Sequence, residues 1–191
     1  MKIVIPENQS EITLGTYQKY VEIVKTDGIT NGDFKDEVFC LLSGLDVEDI
    51  GQVMQGDKDE VIEGFLKAIG QEAPHKMKFK MGGNEFGMIP NLDKNKISGD
   101  EYTDFVRYDA ENVSTLHNLM AILYRPIKTQ DRQGNYLIVG YEGTSEYAEV
   151  MKEMPLSIVN GAIGFFLTLL NELNNSFQES LREEQTKEAR R

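Results

Sequence analysis

The sequence predicts an α+β fold that is mainly helical, with small antiparallel β-ribbons and a long C-terminal helix. Apolar residues recur at spacings of three and four along most of the chain, as they do on one face of a helix. Near residue 77 the spacing changes to two, and apolar residues alternate with lysines up to a Gly-Gly turn. No proline follows Pro155, so one helix can extend from there toward the last residue.

The first segment, residues 1–74, is predicted to contain a short strand followed by helices. Residues 2–5 suit a strand, and either Thr13 or Thr16 can cap the first helix. The predicted helices cover residues 13–24, 33–43, 47–55 and 59–69. If the chain is divided, the boundary lies near residues 71–74; a single domain for the whole chain is the alternative.

The second segment, residues 75–177, is predicted to form an α+β core built around two ribbons. The first ribbon covers residues 76–89 and folds back at Gly82-Gly83-Asn84, a sequence typical of tight hairpin turns. The second joins residues 127–128 to residues 136–140.

Helices are expected between and after the ribbons. Ser98 and Glu101 have the spacing of a capping box, in which each residue satisfies a free backbone N–H of the other. The next helix begins at Asn112 or Ser114 and must end before Pro126, which disfavours the helical conformation of its preceding residue. The predicted ranges are 98–108, 112–124 and 145–152.

The last predicted helix is the longest, and its two halves differ. It starts at Pro155 and would measure about 45 Å over about 30 residues. Its first half is apolar nearly all round, which requires burial on most sides. Its second half keeps a narrow apolar seam before a polar extension, residues 178–191; the seam consists of Leu170, Leu173, Phe177 and Leu181. Such a seam either joins two chains or folds back on its own domain, and the sequence leaves both open.

The composition argues against several classes of function. The 191 residues include 32 acidic and 20 basic side chains, a formal net charge of −12. An acidic surface repels phosphate backbones, so we expect no direct binding of duplex nucleic acid. Cys40 is the only cysteine and cannot form an internal disulfide, which favours a reducing compartment. The apolar stretches are too short or too interrupted for a signal peptide or a membrane span.

No arrangement of residues in the sequence predicts catalysis. The glycine-rich stretch at 82–87 lacks the lysine and the spacing of a phosphate-binding loop. The stretch that begins at Asp93 departs from a calcium loop at its fifth and sixth positions, Ile97 and Ser98. His75 and His117 are far apart in the sequence. We therefore expect no enzymatic activity, no cofactor and no bound metal.

Arg125 is the charged residue that we expect to be structurally important. It lies at a helix end between Tyr124 and Pro126, and its planar guanidinium can pair with a carboxylate. Glu101 and Asp104 are the candidate partners, in a structural ion pair that would fix two helix ends together. An acid–base role for these carboxylates is the alternative, but the first turns of a helix favour carboxylates for structural reasons alone.

Several short motifs follow one another within the second segment. They are Phe86-Gly87-Met88-Ile89-Pro90-Asn91-Leu92, Glu101-Tyr102-Thr103-Asp104, Leu123-Tyr124-Arg125-Pro126-Ile127, Tyr141-Glu142-Gly143-Thr144, Met154-Pro155-Leu156-Ser157 and Gly164-Phe165-Phe166 with Leu169. This order, over roughly residues 75–175, resembles small proteins from the structural and assembly gene region of tailed bacteriophages, in particular crAss-like phages of gut Bacteroides.

The resemblance implies a virion structural or cargo-type protein near the portal and tail. Such a protein would act by self-association and by contacts with portal, tail or packaged proteins. It would be found in the virion and, during assembly, in the host cytoplasm. The alternative is a tail assembly chaperone that binds a tail or tape-measure protein transiently and is absent from the finished particle.

Overall fold

The computed structural model describes residues 5–89, 98–108 and 110–165. Its helices are α1 (Leu14–Val24), α2 (Asn31–Ser43), α3 (Gln55–Ile69), α4 (Gly99–Arg107), α5 (Leu116–Leu123), α6 (Ala148–Met151) and α7, which begins at residue 156 and is described through residue 165. Its strands are β1 (Lys78–Met81), β2 (Asn84–Met88), β3 (Tyr124–Gln130) and β4 (Tyr136–Ile138). The predicted mainly helical α+β fold is confirmed for this part of the chain.

The four strands form one antiparallel sheet in the order β1-β2-β3-β4. The predicted Gly-Gly turn joins β1 to β2, and Gly82 and Gly83 have φ values of 56° and 81° that L-residues rarely adopt. β2 and β3, which the sequence assigned to separate ribbons, pair with Gly87 opposite Arg125. The two predicted ribbons are therefore the two halves of a single sheet.

Two of the three helices of the first segment, α1 and α2, begin at side-chain caps. The Oγ1 of Thr13 accepts a hydrogen bond from the N–H of Thr16 at 3.1 Å, so of the two predicted caps Thr13 is the one used. Thr30 caps α2, which therefore begins two residues before its predicted start. Gly44 ends α2 in the left-handed conformation, with φ 71°.

The helix predicted over residues 47–55 is wrong. The structure has one 3₁₀ turn there, Ile50–Gln52, and α3 begins at Gln55, four residues before its predicted start. Gly51 in the middle of the segment disfavours a longer helix by about 1 kcal/mol relative to alanine. Ile50 is the one buried residue of the turn, and it packs with the α2 and α3 side chains.

The capping box predicted for α4 is confirmed, and the next helices are shorter than predicted. Asn112 caps a 3₁₀ turn, Val113–Thr115, and α5 follows it. α5 passes directly into β3, with Pro126 in the strand. α6 has only four residues. The predicted strand at residues 2–5 falls almost entirely outside the described residues.

Residues on both sides of the expected boundary near 71–74 pack in one core. Phe65 of α3 and Leu14 of α1 are fully buried in the same apolar cluster as Leu119 of α5 and Met154. A smaller cluster lies between α2 and α3; it consists of Val38, Phe39, Ile50, Val61 and Ile62. The division into residues 1–74, 75–177 and 178–191 stays a prediction.

Within the described ranges, no helix is long and apolar enough to span a membrane.

Candidate functional site

The root of α7 is joined to the segment that precedes α1. The N–H of Leu14 donates to the Met154 carbonyl at 2.8 Å, and the N–H of Leu156 donates to the Ile12 carbonyl at 2.8 Å. These bonds flank an antiparallel bridge between Thr13 and Pro155. Pro155 has no N–H, and the bridge needs none from it, because its two donors are Leu14 and Leu156. Backbone hydrogen bonds therefore join the start of α7 to the start of α1.

The body of α7 is buried and lies directly on the backbone at residues 74–75. Leu156, Val159 and Ala162 are completely buried. A Cβ atom added to Gly161 would lie 2.6 Å from the Pro74 carbonyl oxygen and 2.9 Å from its carbonyl carbon. Since contacts this short essentially do not occur, only glycine allows this approach of the helix.

Burial ends in the last described turn of α7. Gly164 is exposed, and Phe165 has 38% of its surface accessible. The Phe165 ring stacks on the His75 ring, with centroids 4.2 Å apart and planes 7° from parallel. The apolar seam of the sequence, Leu170, Leu173, Phe177 and Leu181, lies outside the described residues, as does the polar extension.

Gln9 contributes to the same anchoring and was not identified from the sequence. Its amide nitrogen donates to the Ile69 carbonyl at 3.0 Å and to the Gln71 carbonyl. Its amide oxygen accepts from Asn160 of α7 at 3.0 Å. Gln9 is 2% exposed, so one buried amide links the end of α3 to α7. A polar residue in a turn gave no signal in the sequence pattern.

The structure brings Arg125 and Glu101 together in a buried ion pair. The Nη2 of Arg125 lies 2.6 Å from the Oε1 of Glu101, and each residue is 6% exposed. Burial lowers the pKa of Arg125, and the neighbouring Glu101 carboxylate opposes that shift. The pair joins the first turn of α4 to β3, a strand in the middle of the sheet.

Glu101 has two structural roles. Its Oε2 accepts a hydrogen bond from the N–H of Ser98 at 3.1 Å, which closes the capping box, while Oε1 faces Arg125. Because one carboxylate oxygen is occupied by the cap, the guanidinium makes a single bond to Glu101, not the parallel pair that its shape allows. The buried Nε of Arg125 has no hydrogen-bond partner among the described residues.

Asp104, the other candidate partner of Arg125, pairs elsewhere. Its Oδ2 accepts a hydrogen bond from the Tyr141 hydroxyl at 2.6 Å, and its Oδ1 lies 3.5 Å from Nη1 of Arg107. Arg125 contacts this group only indirectly, with its guanidinium carbon 5.6 Å from the centre of the Tyr141 ring. The sequence could not distinguish two carboxylates three residues apart on one helix.

A surface cleft of about 280 Å³ lies beside this network, between α4 and the segment after β4. Its lining residues are Asp100, Thr103, Asp104, Tyr141, Glu142 and Gly143. Burial, and then the hydrogen bond to Asp104, raise the pKa of Tyr141, so its hydroxyl stays protonated and acts as a donor. Among the described residues, no group of three His, Cys, Asp or Glu side chains is arranged to hold a metal ion.

His117 packs where α1, α5 and α6 meet. Its Nδ1 lies 3.0 Å from the amide nitrogen of Gln18, which also donates to the Val113 carbonyl at 2.7 Å. Because the Gln18 amide nitrogen is a donor, Nδ1 of His117 must accept this hydrogen bond and therefore carries no proton. Burial lowers the pKa of His117; Lys152 adds to this effect and Glu149 opposes it.

We expect acid to destabilise the fold through His117. Its pKa in the folded state lies below the ordinary value of 6.5, so the unfolded chain takes up the proton first as the pH falls. The stabilising contribution of neutral His117 is complete above pH 6.5. It is lost as the pH drops from 6.5 toward the pKa of His117 in the folded state. Urea unfolding at pH 7.5 and 5.5 should show a larger loss of stability for the native sequence than for His117→Gln. Equal losses in the two proteins would contradict this expectation; His75 is present in both and cancels.

Comparisons of this chain with models of protein families, with curated proteins and with solved structures found no match.

Proposed function

We propose that this chain is a structural or cargo-type protein of a bacteriophage virion, associated with the portal and tail region. It acts by self-association and protein–protein contacts, without catalysis or a cofactor. The order of short motifs that resembles phage assembly proteins supports this function. The geometry of α7 is the observation that carries it.

α7 is built as an anchored helix that reaches the surface. Its root is held by the bridge at Pro155, its middle by the close contact of Gly161 with Pro74, and its burial ends at Phe165. The apolar seam follows directly in the sequence. A helix held this firmly at one end can present such a seam to another chain without losing its place in the fold.

The surface charge suits the same function. A formal charge of −12 keeps a protein soluble at high copy number and away from packaged DNA. The partners would be the portal, tail or packaged proteins and further copies of this chain. The protein would be located in the virion and, during assembly, in the host cytoplasm.

Quantitative mass spectrometry of purified virions tests this function. We expect peptides of this chain in constant proportion to the portal protein across independent preparations. Infected cells sampled before lysis provide the control, because they contain every assembly protein. Presence in those cells together with absence from virions would overturn the proposal and favour the transient chaperone.

A further inference from the structure

We propose that the outer edge of β4 is a self-association surface, on which β4 of a second copy pairs antiparallel around a two-fold axis at Leu137. The two four-stranded sheets then become one continuous sheet. This inference deepens the proposed function, because it rests on self-association and assigns a surface to it.

The two edges of the sheet differ in their protection against pairing. At the β1 edge every second residue is a lysine: Lys78 and Lys80 lie in β1, and Lys76 lies two residues before it. Lysines on an edge strand disfavour the addition of another strand. Residues 136–139, at the β4 edge, include no charged residue and no proline. Leu137 in the middle of β4 is 68% exposed. Of the two edges, the β4 edge is thus the one without charged residues to oppose an added strand.

The hydrogen bonds of the β3–β4 hairpin determine which groups of β4 face outward. The N–H of Asp131 donates to the Asn135 carbonyl at 2.9 Å, and the N–H of Val139 donates to the Pro126 carbonyl at 2.9 Å. Residues 135, 137 and 139 therefore face β3, since orientation alternates along a strand. The N–H and C=O groups of Tyr136 and Ile138 face outward, and the described residues offer them no hydrogen-bond partner.

These outward groups select one register with a second copy. When Leu137 lies on the two-fold axis, Tyr136 of each copy faces Ile138 of the other, and each such pair exchanges both of its backbone hydrogen bonds. A shift by one residue would place outward groups opposite inward ones. A shift by two residues would leave Tyr136 or Ile138 opposite a residue outside β4.

The side chains and charges suit a second copy of the same chain. Tyr136 beside Ile138 is an aromatic and β-branched cross-strand pair, and Leu137 would be buried against Leu137 of the other copy. Arg132 and Glu142 are both exposed and lie five residues on either side of Leu137. The two-fold axis therefore brings Arg132 of one copy and Glu142 of the other to the same end of the paired strands, where their opposite charges favour association.

Disulfide trapping tests this register. In the full chain with Cys40→Ala, Leu137→Cys should form a cross-linked dimer under mild oxidation, seen on a non-reducing gel. The Cα atoms of a facing pair without hydrogen bonds lie about 4.5 Å apart, within the range of disulfides. Val106→Cys in the same background is the matched control, since Val106 is 66% exposed on α4. The control should form no cross-link and run as a single chain on the same gel.

A second variant measures the association without any cross-link. Leu137→Lys should lower the mass of the assembled full chain to roughly half by light scattering, while Val106→Lys leaves it unchanged. Circular dichroism checks that both lysine variants are folded. If Leu137→Lys does not fold, the cross-linking of Leu137→Cys decides the question. Cross-linking of Leu137→Cys no faster than that of Val106→Cys would overturn the inference.

The outcome is separable from that of the proposed function. If the protein is present in virions but Leu137→Cys does not cross-link, only the β4 surface is wrong. If Leu137→Cys cross-links but the protein is absent from virions, the β4 surface stands and the virion function is wrong.

Discussion

Replacing Arg125 with alanine should lower the free energy of unfolding by about 3–5 kcal/mol, because the Glu101 carboxylate would be left buried without its counterion. Both side chains are almost completely enclosed, so water cannot replace the guanidinium easily. The same substitution should lower the melting temperature by several degrees, measured by circular dichroism. Urea unfolding of Arg125→Ala and the native chain gives the free-energy difference directly.

Two further variants separate the buried pair from general effects of losing a charge. Arg125→Met combined with Glu101→Gln removes both charges and keeps an acceptor for the Ser98 cap, and should recover much of the loss. Lys35→Ala removes an ion pair with Asp59 that is about one-third exposed, and should cost less than about 1 kcal/mol. Equal losses for Arg125→Ala and Lys35→Ala would contradict a structural role for the buried pair. Loss of assembly without loss of stability would assign Arg125 to an interface instead.

Gly161→Ala should destabilise the protein by about 1–3 kcal/mol, because the added methyl group meets the rigid Pro74 carbonyl at 2.6 Å. Helix propensity alone predicts the opposite sign, since alanine favours a helix over glycine by about 1 kcal/mol. The sign of the change in unfolding free energy therefore reports whether α7 lies against the backbone at residue 74.

Gly164→Ala is the matched control for that prediction. Gly164 lies in the same helix one turn away, and a Cβ atom there would have no neighbour within 4 Å among the described residues. This substitution should stabilise the protein by up to about 1 kcal/mol. If both alanine variants stabilise the fold, the close packing of α7 at Gly161 is wrong.

The features predicted correctly from the sequence are those that depend on neighbouring residues. The caps at Thr13 and Ser98, the left-handed stop at Gly44 and the Gly82–Gly83 turn each depend on about four consecutive positions. A side chain that bonds the backbone three residues away needs no tertiary context. For this reason the starts of α1 and α4 and the turn of the first hairpin could be located in advance.

The features that were missed depend on contacts between distant residues. The pairing of β2 with β3 joins Gly87 to Arg125, and no local pattern indicates which strands become neighbours. The choice of Glu101 over Asp104 as the partner of Arg125 depends on how α4 is rotated against the sheet. Gln9 joins the chain at residues 69, 71 and 160 through one amide group. Each of these contacts is determined only when the whole core is packed.

Light scattering of the full chain over a range of concentrations tests most directly whether this protein works by association. We expect a mass well above that of the monomer, and a lower mass when Leu173→Glu and Phe177→Glu place charges in the apolar seam. Asn175→Glu and Gln178→Glu add the same charge on the predicted polar side and should leave the mass unchanged. A full chain that stays monomeric at every concentration would contradict self-association through either the seam or the β4 edge.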